Sequence, residues 1–325
     1  MQELLLRPIQ KVVRAAPLFR GKHRLSTWID RRFGIPDQPG WARLPNGARM
    51  LVTDWTRSYF WYLGVYEPEV THIFMRILRR LSPGDSVIDL GANQGYYTLL
   101  AARHLQSLNK PGKGDKAETK AKVFAFEPHP EAFAWLRSNV ELNRFDNVVC
   151  EQLAIADKSG QASLHWSEID VAWSSLKPVM DEFSRSSPVK VVSLDEYFDL
   201  SSGGGPASES NGSAGAPTGR PRGRRIGLIK MDIQGGELPA LLGAERLLGA
   251  DRPVIIMEEW PAGMRRFGYD VSDVKDFLRR LGYDYYTVHQ GRLRWATLRK
   301  AHPRHADCSY RDEDFTTLLC VPQLG

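Results

Sequence analysis

Cysteine is scarce in this chain: three in 325 residues, Cys150, Cys308 and Cys320, with no CxxC spacing and an odd total. Neither a disulfide framework nor a thiolate zinc site is written in such a pattern, and a reducing cytoplasm fits it best. Long apolar runs are also missing. None reaches the roughly 18 to 20 residues that a membrane-spanning helix needs, and the mean hydropathy of −0.37 is that expected of a soluble chain. The amino terminus does not read as a secretory signal either, because Leu4–Leu6 is too short an apolar region and the bases follow it instead of preceding it. What is present is a hydrophobic content of 42%, enough for a sizeable core, so a disordered or fibrous protein is not expected.

The net charge is +6, from 44 Lys and Arg against 38 Asp and Glu. Residues 1–34 hold eight of the bases and two of the acids, so the remainder of the chain is balanced and the whole excess sits at the amino terminus. A nucleic-acid enzyme more often carries a basic surface across its catalytic domain, and such a partner is therefore disfavoured. Leu5, Ile9, Val12, Val13 and Ala16 recur at helical spacing with Arg7, Lys11 and Arg14 between them. A helix packed on its own domain is the favoured reading; peripheral contact with a membrane surface through a basic amphipathic helix is the rival.

From Ser86 onward the pattern becomes regular. Apolar runs at Val87–Leu90, Val123–Phe126, Val148–Leu153, Ile226–Met231, Pro253–Met257, Tyr285–Val288 and Phe315–Val321 read as strands. Helical stretches follow at Tyr96–His104, Glu131–Asn143, Glu237–Leu248 and Val271–Leu281. Strands alternating with helices imply an α/β fold with a mostly parallel sheet covered on both faces. Ala162–Trp166 and Val189–Val192 read as a hairpin beside that sheet. Two insertions, 106–122 and 201–225, are rich in polar residues and glycine, the second containing seven Gly, five Ser and three Pro; composition of that kind predicts flexible surface segments.

The sharpest motif is Val87-Ile88-Asp89-Leu90-Gly91-Ala92-Asn93-Gln94-Gly95, a strand that ends in a glycine-containing turn and feeds a helix. In doubly wound folds a ligand lies at the carboxyl ends of the strands, and such a turn lets backbone approach it. Asn93 stands where a dinucleotide fingerprint has its second glycine, so a pyrophosphate ligand is not supported. Glu127 ends the second strand 36 positions after Gly91. Discounting an insertion of about 15 residues leaves about 20, the interval at which an acidic residue binds a ribose diol. A glutamate capping the next helix would account for Glu127 alone; its place in the same βαβ unit favours the ribose.

The third motif is Lys230-Met231-Asp232-Ile233-Gln234-Gly235-Gly236-Glu237, followed by Gly243-Ala244 and Arg252-Pro253. Together with Val87–Gly95, Phe126-Glu127-Pro128, Ser193-Leu194-Asp195 and the upstream Gly64-Val65-Tyr66-Glu67-Pro68, it resembles the FkbM family of S-adenosylmethionine-dependent methyltransferases over roughly Trp61 to Glu258. One departure is Gln234-Gly235-Gly236, where the family commonly has an acidic residue followed by a single glycine.

The resemblance implies a class I methyltransferase domain at 51–325, preceded by a basic extension at 1–50, with a seven-stranded, Rossmann-like doubly wound sheet whose last strand is antiparallel. It implies S-adenosylmethionine as cofactor, with Asp89, Gly91, Asn93 and Gly95 around its methionine part, Glu127 on its ribose and Asp157 near its adenine. The implied reaction is O-methylation of a hydroxyl on a glycan or small-molecule natural product. Asp232 is the first candidate for catalysis, as base or as an anchor for the cofactor's ammonium group, with Glu237, Lys230 and Glu258 as nearby alternatives. His104, His129, His165, His289, His302 and His305 show no metal-ligand spacing beside carboxylates, and no metal is expected; a metal-assisted variant would call on Asp232, Glu258 and Glu259. Two rivals are a nucleic-acid methyltransferase, although no Asn-Pro-Pro-Tyr-like motif occurs, and a non-catalytic cofactor-binding protein, motivated by Gln234.

Overall fold

The structure is a computed structural model and describes residues 41–51, 64–108, 120–167, 174–178, 184–198, 225–289, 297–300 and 316–323, together with residues 8, 9, 11–13, 28, 29, 32 and 60. Most of the expected amino-terminal helix, most of the 106–122 insertion and residues 201–224 lie outside the described residues.

The strands are β1 (Trp41–Arg43), β2 (Arg49–Leu51), β3 (Ser86–Leu90), β4 (Val123–Phe126), β5 (Val148–Glu151), β6 (Ala154–Ile155), β7 (Gly160–Ser167), β8 (Ser184–Val192), β9 (Ile226–Met231), β10 (Val254–Glu259), β11 (Tyr283–His289), β12 (Thr297–Lys300) and β13 (Thr316–Pro322). The helices are α1 (Pro68–Leu78), α2 (Tyr96–Leu108), α3 (Pro130–Leu142), α4 (Leu194–Tyr197), α5 (Glu237–Leu242), α6 (Glu245–Asp251), α7 (Pro261–Arg266) and α8 (Val271–Arg280).

The main sheet runs β12-β11-β13-β10-β9-β3-β4-β5. Strands β5, β4, β3, β9 and β10 pair in parallel, while β13 inserts antiparallel between β10 and β11. These are the seven expected strands, with the last one antiparallel as expected, and β12 adds a short eighth at the edge. From β3 the chain winds outward through β4 and β5; it then returns to β9 on the other side of β3 and winds the opposite way. The β3/β9 boundary is therefore the topological switch point, where a doubly wound sheet opens a crevice at its carboxyl edge.

Alternation along each central strand feeds two cores. Val87, Val123, Leu228 and Ile256 face one cluster with α1, α2 and α3. Ile88, Phe124, Ile229 and Ile255 face the other with α5, α6 and α8. A strand buried on both faces must be apolar almost throughout, and in fully buried β3 the exception among large side chains is Asp89.

Three local readings need correction. Residues 41–50, assigned from sequence to an extension, belong to the domain body: Leu44, Ala48 and Met50 enter the first core, Asn46 Nδ2 donates to the carbonyls of Leu99 and Leu100 at 3.2 and 3.1 Å, and Leu51 N donates to Asn139 Oδ1 at 2.6 Å. The helix expected over Glu237–Leu248 is two, α5 and α6. Gly243 interrupts it because this backbone abuts β6: a Cβ there would lie 2.1 Å from the Ala156 carbonyl, and the Gly243 carbonyl accepts from Asp195 N at 2.8 Å. The expected hairpin is present: β7 and β8 pair antiparallel and, with β6, form a three-stranded sheet separate from the main one. Arg225, read from sequence as the end of the flexible 201–225 insertion, holds Asp85 with two nitrogens at 2.9 and 2.7 Å and so pins the entry to β9.

At the amino terminus, Ile9, Val13 and Ile29 pack on one another in a small cluster apart from the two main cores, with Val12 and Trp28 exposed. Among the described residues no helix is long and apolar enough to cross a membrane.

Candidate active site

A cavity of about 410 Å³ opens at the switch point, lined by the carboxyl ends of β3, β4, β9 and β10 and by the turns that follow them. Residues from β2, the start of α2 and the segment 174–176 complete its walls.

One side is built from backbone. After Leu90 the chain turns through Gly91 at φ 72°, Asn93 at φ 48° and Gly95 at φ 92°, a left-handed region that glycine enters freely and asparagine tolerates. The glycines are required by packing within the chain: a Cβ on Gly91 would sit 1.9 Å from the Asp232 carbonyl, and one on Gly95 would sit 2.7 Å from Leu136 Cδ1. Gly91 itself lines the cavity, while the space that a Cβ would take is filled by the end of β9.

Asn93 N–H donates to Glu127 Oε2 at 2.7 Å and His129 N–H to Oε1 at 2.9 Å, so Glu127 is held by two amides; it lines the cavity, and each oxygen keeps a further lone pair. Burial pushes its pKa up to about 7 against the pull of those amides. Asp89 accepts from Thr98 Oγ1 at 2.5 Å, and burial raises it to about 6. Asn93 Oδ1 is buried with no hydrogen-bond partner among the described residues. Asp157 is exposed beyond β6 and does not join the lining, which instead takes Leu153, Ala154 and Ile155 from that stretch.

The other side is built from side chains bonded to side chains. Lys230 is 3% exposed, with Nζ 3.4 Å from Asp232 Oδ2 and 5.0 Å from the centre of the Tyr97 ring. Burial alone would lower its pKa, but Asp232, Glu67, Glu258 and Asp89 together hold it above the usual lysine value. These carboxylates favour the ammonium form of Lys230. Gln234, at φ 53°, points its Nε2 at both Asp232 Oδ1 and Glu258 Oε2, 3.0 Å from each, and its own carbonyl accepts from Ser175 Oγ at 3.0 Å.

Glu237 lies elsewhere than expected for a catalytic group. It is fully buried outside the lining; its Oε1 accepts from Ile233 N and Gly235 N, both at 3.3 Å, and Tyr269 OH, which donates to the Gly235 carbonyl at 2.6 Å, closes over it. Burial raises its pKa to about 7. Its place is structural, holding the tight turn in which a Cβ on Gly235 would meet the Gly263 backbone at 2.5 Å.

Sequence reasoning missed Glu67. It stands at the amino end of α1 with φ 39°, accepts from Tyr97 OH at 2.7 Å and lines the cavity with Lys230, Asp232 and Glu258. Burial raises its pKa, with Lys230 opposing. The Pro68 that follows it was the available signal, since proline favours the first position of a helix and so marks Glu67 as its cap.

A family model described as the methyltransferase FkbM domain matches residues 218–285, the stretch that carries β9, β10 and the side-chain network between them. The 31-O-demethyl-FK506 methyltransferase FkbM of Streptomyces tacrolimicus is 36% identical over 118 residues, which cover 36% of this chain and 39% of that protein; the chain thus spans about two fifths of the length of the curated relative it matches. Among solved structures, the methyltransferase FkbM of Methylobacillus flagellatus KT aligns with a TM-score of 0.39 at 14% identity, over 93% of this chain and 71% of that one. The putative methyltransferase SMU.1697c of Streptococcus mutans, solved in complex with SAH, aligns with a TM-score of 0.36 at 11% identity, over 79% and 99% of the two chains. The FkbM match covers the side-chain half of the cavity, whereas the glycine turn and Glu127 lie outside it.

Proposed function

We propose that this protein is an S-adenosylmethionine-dependent methyltransferase that modifies a hydroxyl of a glycan or small-molecule natural product, with its catalytic unit beginning by Trp41. The observation that carries this reading is the switch-point cavity in which Glu127, fixed by the Asn93 and His129 amides, faces the Asp89–Gly95 turn. The donor set fits the cofactor: Glu127 retains lone pairs for two ribose hydroxyls, Asn93 Oδ1 needs a donor such as an ammonium group, and Leu153 to Ile155 offer an apolar wall for a purine.

Bound there, S-adenosylmethionine would supply an electrophilic methyl group on a sulfonium sulfur. The chain's own residues orient the acceptor. Lys230 Nζ donates to the acceptor oxygen and steadies negative charge as it develops, while Asp232, next to it at the end of β9, receives the hydroxyl proton. Holding two reactants in line can supply most of the acceleration, and a base adds roughly 10²–10⁴-fold.

The test is calorimetric titration with S-adenosylmethionine, followed by a screen of glycan and macrolide hydroxyls for release of S-adenosylhomocysteine. Binding is expected for the wild-type chain; no heat and no thermal shift would refute the reading. The match to a natural-product methyltransferase over part of its length supports the acceptor class.

A further inference from the structure

The cavity and the chain carry opposite charge. The chain is +6 overall, yet the charged groups lining the cavity are Glu67, Asp89, Glu127, Asp232, Glu258 and a single cation, Lys230. Among the described residues Lys230 is the one cation at ion-pair distance from any of the five carboxylates, and it is committed to Asp232. The other four are held by neutral donors: Tyr97 OH on Glu67, Thr98 OH on Asp89, backbone amides on Glu127 and the Gln234 amide on Glu258.

Such an excess of partly buried carboxylate is unfavourable when the cavity holds no compensating charge. Burial is the leading cause in raising Glu67, Asp89, Glu127 and Glu258; Asp232 and Glu237 push Glu258 further up while Lys230 opposes, and Asp232 and Glu69 act on Glu67 in the same sense. An independent feature points the same way. Among the described residues Asn93 Oδ1 is one more acceptor without a donor, so the cavity is rich in acceptors and asks its guest to bring donors or positive charge.

We propose that the cavity selects its guest by charge, holding a cofactor with a positive centre at the sulfur position more tightly than the uncharged thioether that remains after methyl transfer, and releasing carboxyl protons as the charged form binds. The inference rests on the cofactor reading above. Each released proton leaves a carboxylate behind and passes to the buffer. Loss of the methyl group then removes the charge that the carboxylates had compensated, which favours exit of the product; the same excess disfavours phosphorylated or carboxylated acceptors and admits neutral or cationic ones.

The test uses the wild-type chain and two stable probes, S-adenosylhomocysteine and sinefungin, in which an amine-bearing carbon replaces the sulfonium. Isothermal titration is run from about pH 6 to about pH 8 in buffers of different ionisation enthalpy. At about pH 7 sinefungin should bind at least about tenfold more tightly than S-adenosylhomocysteine, with an advantage that grows as pH rises and with protons released only for sinefungin. Glu67→Gln and Glu258→Gln, each checked by its melting curve, should both shrink the advantage. Equal or tighter binding of S-adenosylhomocysteine without differential proton release overturns charge selection and leaves the cofactor reading standing. Failure of both probes to bind overturns both.

Discussion

The two sides of the cavity are held in different ways. On the β3–β4 side, Glu127 and the turn at Gly91–Gly95 are fixed by backbone: amides hold the carboxylate, and main-chain contact with Asp232 dictates a glycine. On the β9–β10 side, Lys230, Asp232, Gln234 and Glu258 hold one another through side chains. Amide hydrogen bonds tolerate sequence change at the donor, because any residue except proline brings the amide, whereas a side-chain network changes with each substitution. The first arrangement suits an invariant ligand such as a cofactor, and the second suits an acceptor that differs between relatives sharing a fold.

Gly91→Ala should break the comparison most severely, because Gly91 is where the two sides touch. Its Cβ would enter the Asp232 carbonyl, in a backbone region that disfavours alanine. A loss of about 3 kcal/mol or more is expected in chemical denaturation; a variant as stable as the wild type would mean that β3 and β9 are not packed this closely.

Asp232→Asn preserves shape and removes charge. With an acceptor found by the screen, turnover should fall by about 10² or more. Full activity would exclude Asp232 as proton acceptor and move the search to Glu67, of which, among the described residues, Oε2 is engaged by Tyr97.

A smaller effect follows from the buried carboxyls. Glu127 and Glu237 titrate near 7 and Asp89 near 6 in the fold, above their values in an unfolded chain, so the folded state binds more protons. Their contribution to stability is whole below the ordinary carboxylate range and is lost as pH rises through about 7. The melting temperature of the ligand-free protein should therefore decline between about pH 5 and about pH 7.5, and Glu237→Gln should flatten the decline. A melting temperature that climbs steadily over that interval would contradict the assignment.

Much of this architecture is legible in the residues. Ile226–Met231 reads as a strand because a doubly covered parallel strand is apolar throughout, and Glu127 is found from its interval after Gly91. Pairwise tertiary contacts are where local patterns fall short. Gly243 breaks a helix because β6 runs against it, which no helical periodicity records. Glu237 follows two glycines beside the strand end, as a catalytic carboxylate would, yet it turns inward to cap its own loop. Glu67 reaches the cavity from a segment before the first parallel strand, and only the packing of α1 on α2 brings it to Tyr97. Asp157 lies close in sequence to the apolar wall but past the end of β6, where it is exposed.

The division between the two sides is tested most directly by S-adenosylhomocysteine affinity in Glu127→Ala and Asp232→Asn, measured side by side by calorimetry on folded protein. On the proposed cofactor reading, Glu127→Ala would remove two charge-assisted hydrogen bonds to the ribose, each worth about 1.5–3 kcal/mol, and affinity should fall at least about tenfold, while Asp232→Asn should leave it within about twofold of the wild type. An unchanged dissociation constant in Glu127→Ala, or an equal loss in both variants, would contradict the account.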